Sequence, residues 1–179
     1  MENIVKVLES GSSEEKIKIL ETLDKTDNPE ILEKIISKLD DDDIKVRGEA
    51  FSSLVLNKNK ISNFLIQNLN STSKNVRGFA ALALANRNET SAIPKIAKLA
   101  KDERSMVRSC AIGALSHLKA KEEREIFLDS VLDTNMEVRK SALQAIINLK
   151  FPISEEKIKE ISKDADSELL KMLSKLKKK

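Results

Sequence analysis

A Val-Arg pair recurs along this chain at near-constant spacing: Val46-Arg47, Val76-Arg77, Val107-Arg108 and Val138-Arg139, separated by 30, 31 and 31 residues. Four residues after each valine stands an alanine (Ala50, Ala80, Ala111, Ala142), and eight after it Leu54, Leu84, Leu115 or Ile146. Steps of four fall on one stripe of an α-helix. Alanine at the middle step lets another helix approach closely. A repeated helical unit this short cannot bury its apolar face alone, so such units stack and seal one another.

The turn before each pair repeats as well. Five residues before the valine stand Asp41, Ser71, Asp102 and Asp133, and three before it Asp43, Ser73, Arg104 and Asn135. Asp, Ser and Asn at the later position read as helix N-caps. Arg104 breaks that pattern, which hands the cap to Ser105 or Asp102. The run Asp40–Asp43 reads as turn plus N-cap, because it lacks calcium-loop spacing.

A second helix is predicted between successive signatures, over Pro29–Leu39, Ile61–Leu69, Ser91–Ala100 and Glu122–Leu132. Ile35, Leu65, Ile96 and Phe127 each lie eleven residues before the next valine. Asn28-Pro29 fits an N-cap followed by a first-turn proline, and Pro94 also falls in a first turn. Residues 3–10 and 13–25 make a first pair, with a capping box at Ser12 and Glu15. Residues 154–163 and 166–177 make a last one. Nothing reads as a strand. The predicted fold is all-α, a right-handed α-solenoid of about six antiparallel helix pairs in a single domain over 1–179: a degenerate pair at 1–26, signature repeats at 28–150 and a degenerate pair at 154–179.

Composition removes several chemistries. The single Cys110 can form no intrachain disulfide, and with the single His117 it falls short of the three or four ligands of a zinc site. No Gly-rich phosphate loop and no nucleophile–base pair is present, and no cofactor is expected. Cys110 reads as a small buried side chain and His117 as a surface or groove residue. Gly48 and Gly78 read as points of close helix approach. The net charge of +3, from 32 basic and 29 acidic side chains, argues against nucleic acid as the partner, as does the absence of Trp and Tyr. The basic tail 175–179 reads as a frayed end. No apolar run is long enough for a membrane span, and the N-terminus does not read as a signal peptide, so a cytoplasmic location is expected.

The strings DDDIKVRGEAFSSL, STSKNVRGFAALAL, DERSMVRSCAIGAL and DTNMEVRKSALQAI resemble the HEAT repeat, in the short variety of phycobilisome-lyase-type proteins. The resemblance implies a structural ladder between turn acids Asp41, Asp102 and Asp133 and helix bases Arg47, Arg77, Arg108 and Arg139. Ser71 departs from the acid, leaving Arg77 to lean on Asp41 or Asp102.

The expected activity is non-catalytic: a protein-interaction scaffold, a monomer, that holds a protein or peptide on the concave face formed by the Val-Arg helices. Glu49, Phe79, Asn86, His117, Lys140 and Asn148 are the candidate surface. Alternatives are a nucleic-acid-binding HEAT-like protein and a helper subunit of a lyase-type enzyme.

Overall fold

A computed structural model describes residues 2–176. Twelve α-helices and no strand occur among them: α1 (Glu2–Ser10), α2 (Ser13–Leu20), α3 (Pro29–Ser37), α4 (Ile44–Leu56), α5 (Ser62–Gln67), α6 (Lys74–Asn86), α7 (Ile93–Lys98), α8 (Ser105–His117), α9 (Arg124–Ser130), α10 (Met136–Leu149), α11 (Glu155–Ser162) and α12 (Ser167–Leu176). The Val-Arg helices are α4, α6, α8 and α10. The helices before them are shorter. Those of the first three signatures end in a 3-10 turn, at Lys38–Asp40, Asn68–Asn70 and Leu99–Lys101. Helix α2 stops at Leu20 rather than near residue 25, and the chain turns through 21–25 instead. Of the basic tail, residues 177–179 lie outside the described part.

The periodic stripe is the core. Val46, Val107 and Val138 are fully buried and Val76 nearly so, and the four alanines and four aliphatic residues of the stripe are all inaccessible. Ile35, Leu65, Ile96 and Phe127 of the intervening helices are equally buried. Removing one such aliphatic side chain from water is worth roughly 1.5–3 kcal/mol, so this stripe outweighs any single polar contact. Of the five phenylalanines, which the sequence places mostly on core stripes, only Phe127 is fully buried; the others are partly exposed.

Contacts divide the chain into two compact units, residues 1–95 and 96–179. In the first, α2, α4 and α6 form one layer, and α1, α3 and α5 the other. In the second, α8, α10 and α12 pack side by side with α9 against α10 and α11 against α12.

Each repeat starts in the same way. The turn residue five before the valine accepts the amide two residues on: Asp41 Oδ1 from Asp43 N (3.1 Å), Ser71 Oγ from Ser73 N (3.3 Å), Asp102 Oδ1 from Arg104 N (2.9 Å) and Asp133 Oδ1 from Asn135 N (2.8 Å). Asp43, Ser73 and Asn135 then cap their helices. Helix α8 has no side-chain cap: Ser105 already lies inside it, and Asp102 is engaged with Arg104 N–H. Three repeats end alike too. Asn88, Lys119 and Lys150, each twelve residues after its valine, are left-handed at φ 58°, 54° and 58°. Such residues close helix C-termini by returning free carbonyls to backbone amides.

Gly48 does not serve close helix approach. A side-chain carbon there would meet nothing within 4 Å. Gly11 is the tight position, where that carbon would sit 2.7 Å from Val7 O.

Candidate binding face

The helix arginines are anchored mainly to backbone. Arg47 Nη1 donates to Asp41 O (2.6 Å) and Asp42 O (3.1 Å), Arg77 Nη1 to Ser71 O (2.8 Å) and Thr72 O (3.0 Å), and Arg108 Nη1 to Asp102 O (2.9 Å) and Glu103 O (3.3 Å). Each guanidinium thus stitches its helix to the turn that precedes it. Arg139 is buried and reaches elsewhere, donating to Val131 O (3.1 Å) and Ile161 O (2.7 Å).

A carboxylate joins this scheme at Arg108, whose Nε and Nη2 both bind Asp133 at 2.7 Å. Asp41 receives Lys16 Nζ at 2.9 Å and Lys38 at 3.7 Å. Lys16 stands where the arginine of a signature would. Burial raises the Asp133 carboxyl, but Arg108 and the Asn135 amide outweigh it and hold its pKa below the ordinary value. Asp41 behaves likewise, with Lys16 and the Asp43 amide as the opposing groups.

The opposite helix ends in the first unit carry a polar cluster that periodicity did not reveal. Arg87 donates to Leu54 O (3.0 Å), Asn57 O and Asn59 O (2.9 Å), covering the free carbonyls at the end of α4. Asn57, 1% exposed, donates to Thr26 O (2.7 Å) and accepts from Asn59 N (2.9 Å). Asn59 in turn donates to Lys25 O (2.8 Å). The signal available in the sequence was polar residues at a helix end where other repeats place Leu118 and Leu149.

The candidate face residues fall into two groups, one in each unit. In the first, Glu49 and Phe79 occupy the same position of adjacent helices α4 and α6 and are partly buried. Asn86 is exposed and folds its amide back on Leu82 O (2.9 Å). The Phe51 and Phe79 rings lie 6.2 Å apart, inclined at 58°. Burial pushes the Glu49 carboxyl up, and the charge of Glu21 adds to that.

In the second unit, Gly113, Ser116, His117, Ser141, Gln144 and Asn148 line a shallow depression of about 350 Å³ between α8 and α10. Gln144 donates to Asn148 there (2.8 Å), and the Ser109 and Ser141 hydroxyls meet at 2.7 Å. His117 is exposed. Lys140 stands apart from that depression: its ammonium is held by Glu168 (2.6 Å), Asp166 (2.9 Å) and Glu137 (3.3 Å), which raise its pKa, Glu168 most. Lys140 therefore clamps α12 onto α10.

Cys110 contacts Met106 Sδ at 3.6 Å, and burial pushes its thiol up to about 11, which keeps it protonated and unreactive near neutrality. Among the described residues, no three or more His, Cys, Asp and Glu side chains are grouped to hold a metal ion. No helix among them is long and apolar enough to cross a membrane.

Residues 62–147 match the family of HEAT repeats. No curated protein sequence matches the chain. Solved structures share its fold. The complex of CpcE and CpcF of phycocyanin lyase from Nostoc sp. PCC7120 aligns with a TM-score of 0.69 at 17% identity, covering 82% of this chain and 97% of that one. A designed armadillo repeat protein in complex with the peptide (KR)4 aligns at 0.54 and 20% identity, over 96% and 95%. A structure of TOG–tubulin binding specificity aligns at 0.53 and 14% identity, over 99% and 82%. The chain thus has the all-α fold of HEAT and armadillo repeat solenoids, and its residues 62–147 match HEAT repeats.

Proposed function

We propose that this HEAT-repeat chain is a non-catalytic scaffold whose water-facing Val-Arg helices hold a protein or peptide partner. The observation that carries the reading is the division of labour on those helices. One stripe seals the core, and the arginines are spent on turn carbonyls and carboxylates. The remaining face in each unit presents mixed side chains, notably Phe79, His117, Asn86 and Asn148, with the two amides hydrogen-bonded within their own helices and Phe79 paired with Phe51 of the adjacent helix. A mixed apolar and polar surface on packed helices suits polypeptide recognition. The fold kinship with a designed repeat protein that holds a peptide supports the same reading.

Affinity capture from native, nuclease-treated lysate tests it. The full chain should retain a discrete protein that the Phe79→Ala, His117→Ala, Asn148→Ala triple variant, checked for native helicity, does not. Retention of the same protein by the variant would contradict the reading.

A further inference from the structure

The first unit carries two carboxylates, Glu21 and Glu49, that form no ion pair with the described bases around them. Glu49 lies on α4, which packs against α2, and Glu21 is the C-cap residue of α2. Neither carboxylate has a hydrogen bond or ion pair among the described residues. Of the bases on α2, Lys16 is paired with Asp41 and Lys18 with Glu14 at 3.1 Å. Burying part of an unpaired carboxylate beside a like charge is unfavourable unless something cationic arrives.

On the other side of α4 lies the Phe51–Phe79 ring pair. Between the two, the exposed side of α4 is low. Gly48 has open space above it, and the Ser52 hydroxyl folds back on Gly48 O (3.0 Å). At the end of the helix Leu56 is 63% exposed. Acid pair, bare ridge and aromatic pair thus sit side by side, with an apolar flank.

We propose that this face of the first unit docks a peptide segment in which an arginine or lysine neighbours an apolar residue. The cation enters between Glu21 and Glu49, and the apolar side chain crosses Gly48 to rest on the Phe51–Phe79 pair. The charge complementarity selects a basic segment. The flat ring faces favour an aliphatic or aromatic neighbour, and can also attract the cation itself. The inference rests on the reading that the Val-Arg face binds polypeptide, and it assigns the chemistry of the partner.

The test pans a random peptide display library on the purified full chain, then measures synthetic copies of the enriched peptides by fluorescence anisotropy at low and high salt. Enriched peptides should pair Arg or Lys with Leu, Met or an aromatic residue. The Glu21→Gln, Glu49→Gln double variant should weaken them about tenfold and flatten their salt dependence. Phe79→Ala should weaken them at both salt concentrations. The Gln side chains keep the size of the originals, and circular dichroism checks that the variants fold.

Enrichment of peptides without basic residues, no enrichment at all, or unchanged binding by the double variant would overturn the inference. If enriched peptides ignore the Gln pair but are lost on substituting His117 and Asn148, this inference fails while the broader reading stands. If they ignore both sets, the two fall together.

Discussion

Arg108 grips Asp133 with two 2.7 Å hydrogen bonds across 25 residues of sequence, and the same 25-residue step separates Lys16 from Asp41. A basic group on one helix therefore ties down the turn that opens the next. The guanidinium of Arg108 also holds its own turn through Asp102 O and Glu103 O, so one side chain fixes two successive turns.

Truncating Arg108→Ala should cost roughly 2–3 kcal/mol, because it strips a partly buried carboxylate of its partner. For a chain of this size that is a fall of roughly 5–10 °C in melting temperature. Calorimetry measures it directly. The pH dependence follows from Asp133, whose folded pKa lies below its ordinary 3.8. Its stabilisation is complete above that value and is lost as the pH falls through the lower folded one. Asp133→Asn should therefore be less stable than wild type at neutrality and converge on it in acid.

The two glycines that differ most should respond with opposite signs. Gly48→Ala meets open space within a helix and should raise stability by about 0.5–1 kcal/mol. Gly11→Ala drives a methyl group against Val7 O and should destabilise by about 1 kcal/mol or more. Chemical denaturation of the two variants separates the cases.

Arg87 should matter more for stability than its place at a helix end implies. Arg87→Ala leaves the carbonyls of Leu54, Asn57 and Asn59 without their charged donor, at a cost of roughly 1.5–3 kcal/mol. Hydrogen exchange should show the loss concentrated around residues 54–61, whereas uniform protection across the first unit would speak against a local role.

Glu49 is the exception to the stabilising charges. Its pKa is raised on folding above the ordinary 4.5, so its ionised form opposes folding at neutral pH. That opposition fades as the pH falls through the raised folded value toward 4.5. Glu49→Gln should accordingly melt at a higher temperature than wild type at pH 7, with the gain disappearing near pH 4.5. A variant less stable at pH 7 would show that the carboxylate has a structural partner.

Much of this architecture was legible because it is periodic. Val46, Ala50 and Leu54, repeated three more times, specify a buried stripe whatever the details of the turns. The Asn28, Asp43, Ser73 and Asn135 caps were readable because capping needs only local chain. Asn57 and Arg87 escaped because their partners are backbone carbonyls, which no spacing rule encodes. Arg47, Arg77 and Arg108 also bond carbonyls of their own turns, and Arg139 bonds Val131 O and Ile161 O. Lys140 looked like a free surface group because Asp166 and Glu168 lie in the degenerate last pair. Glu21, Phe51 and Gly48, which shape the acid and aromatic surface, gave no signal as a set, since they fall at different phases of two helices.

Site-specific photo-crosslinking in native lysate tests the central claim most directly. A photoreactive phenylalanine analogue is placed at Phe79 or Asn148 on the water-facing side of the Val-Arg helices, and at Asn63 or Glu125 on the intervening helices. The face positions should give adducts with a discrete protein or peptide, and the intervening-helix positions none. Adducts confined to Asn63 and Glu125, or formed chiefly with nucleic acid, would contradict the account.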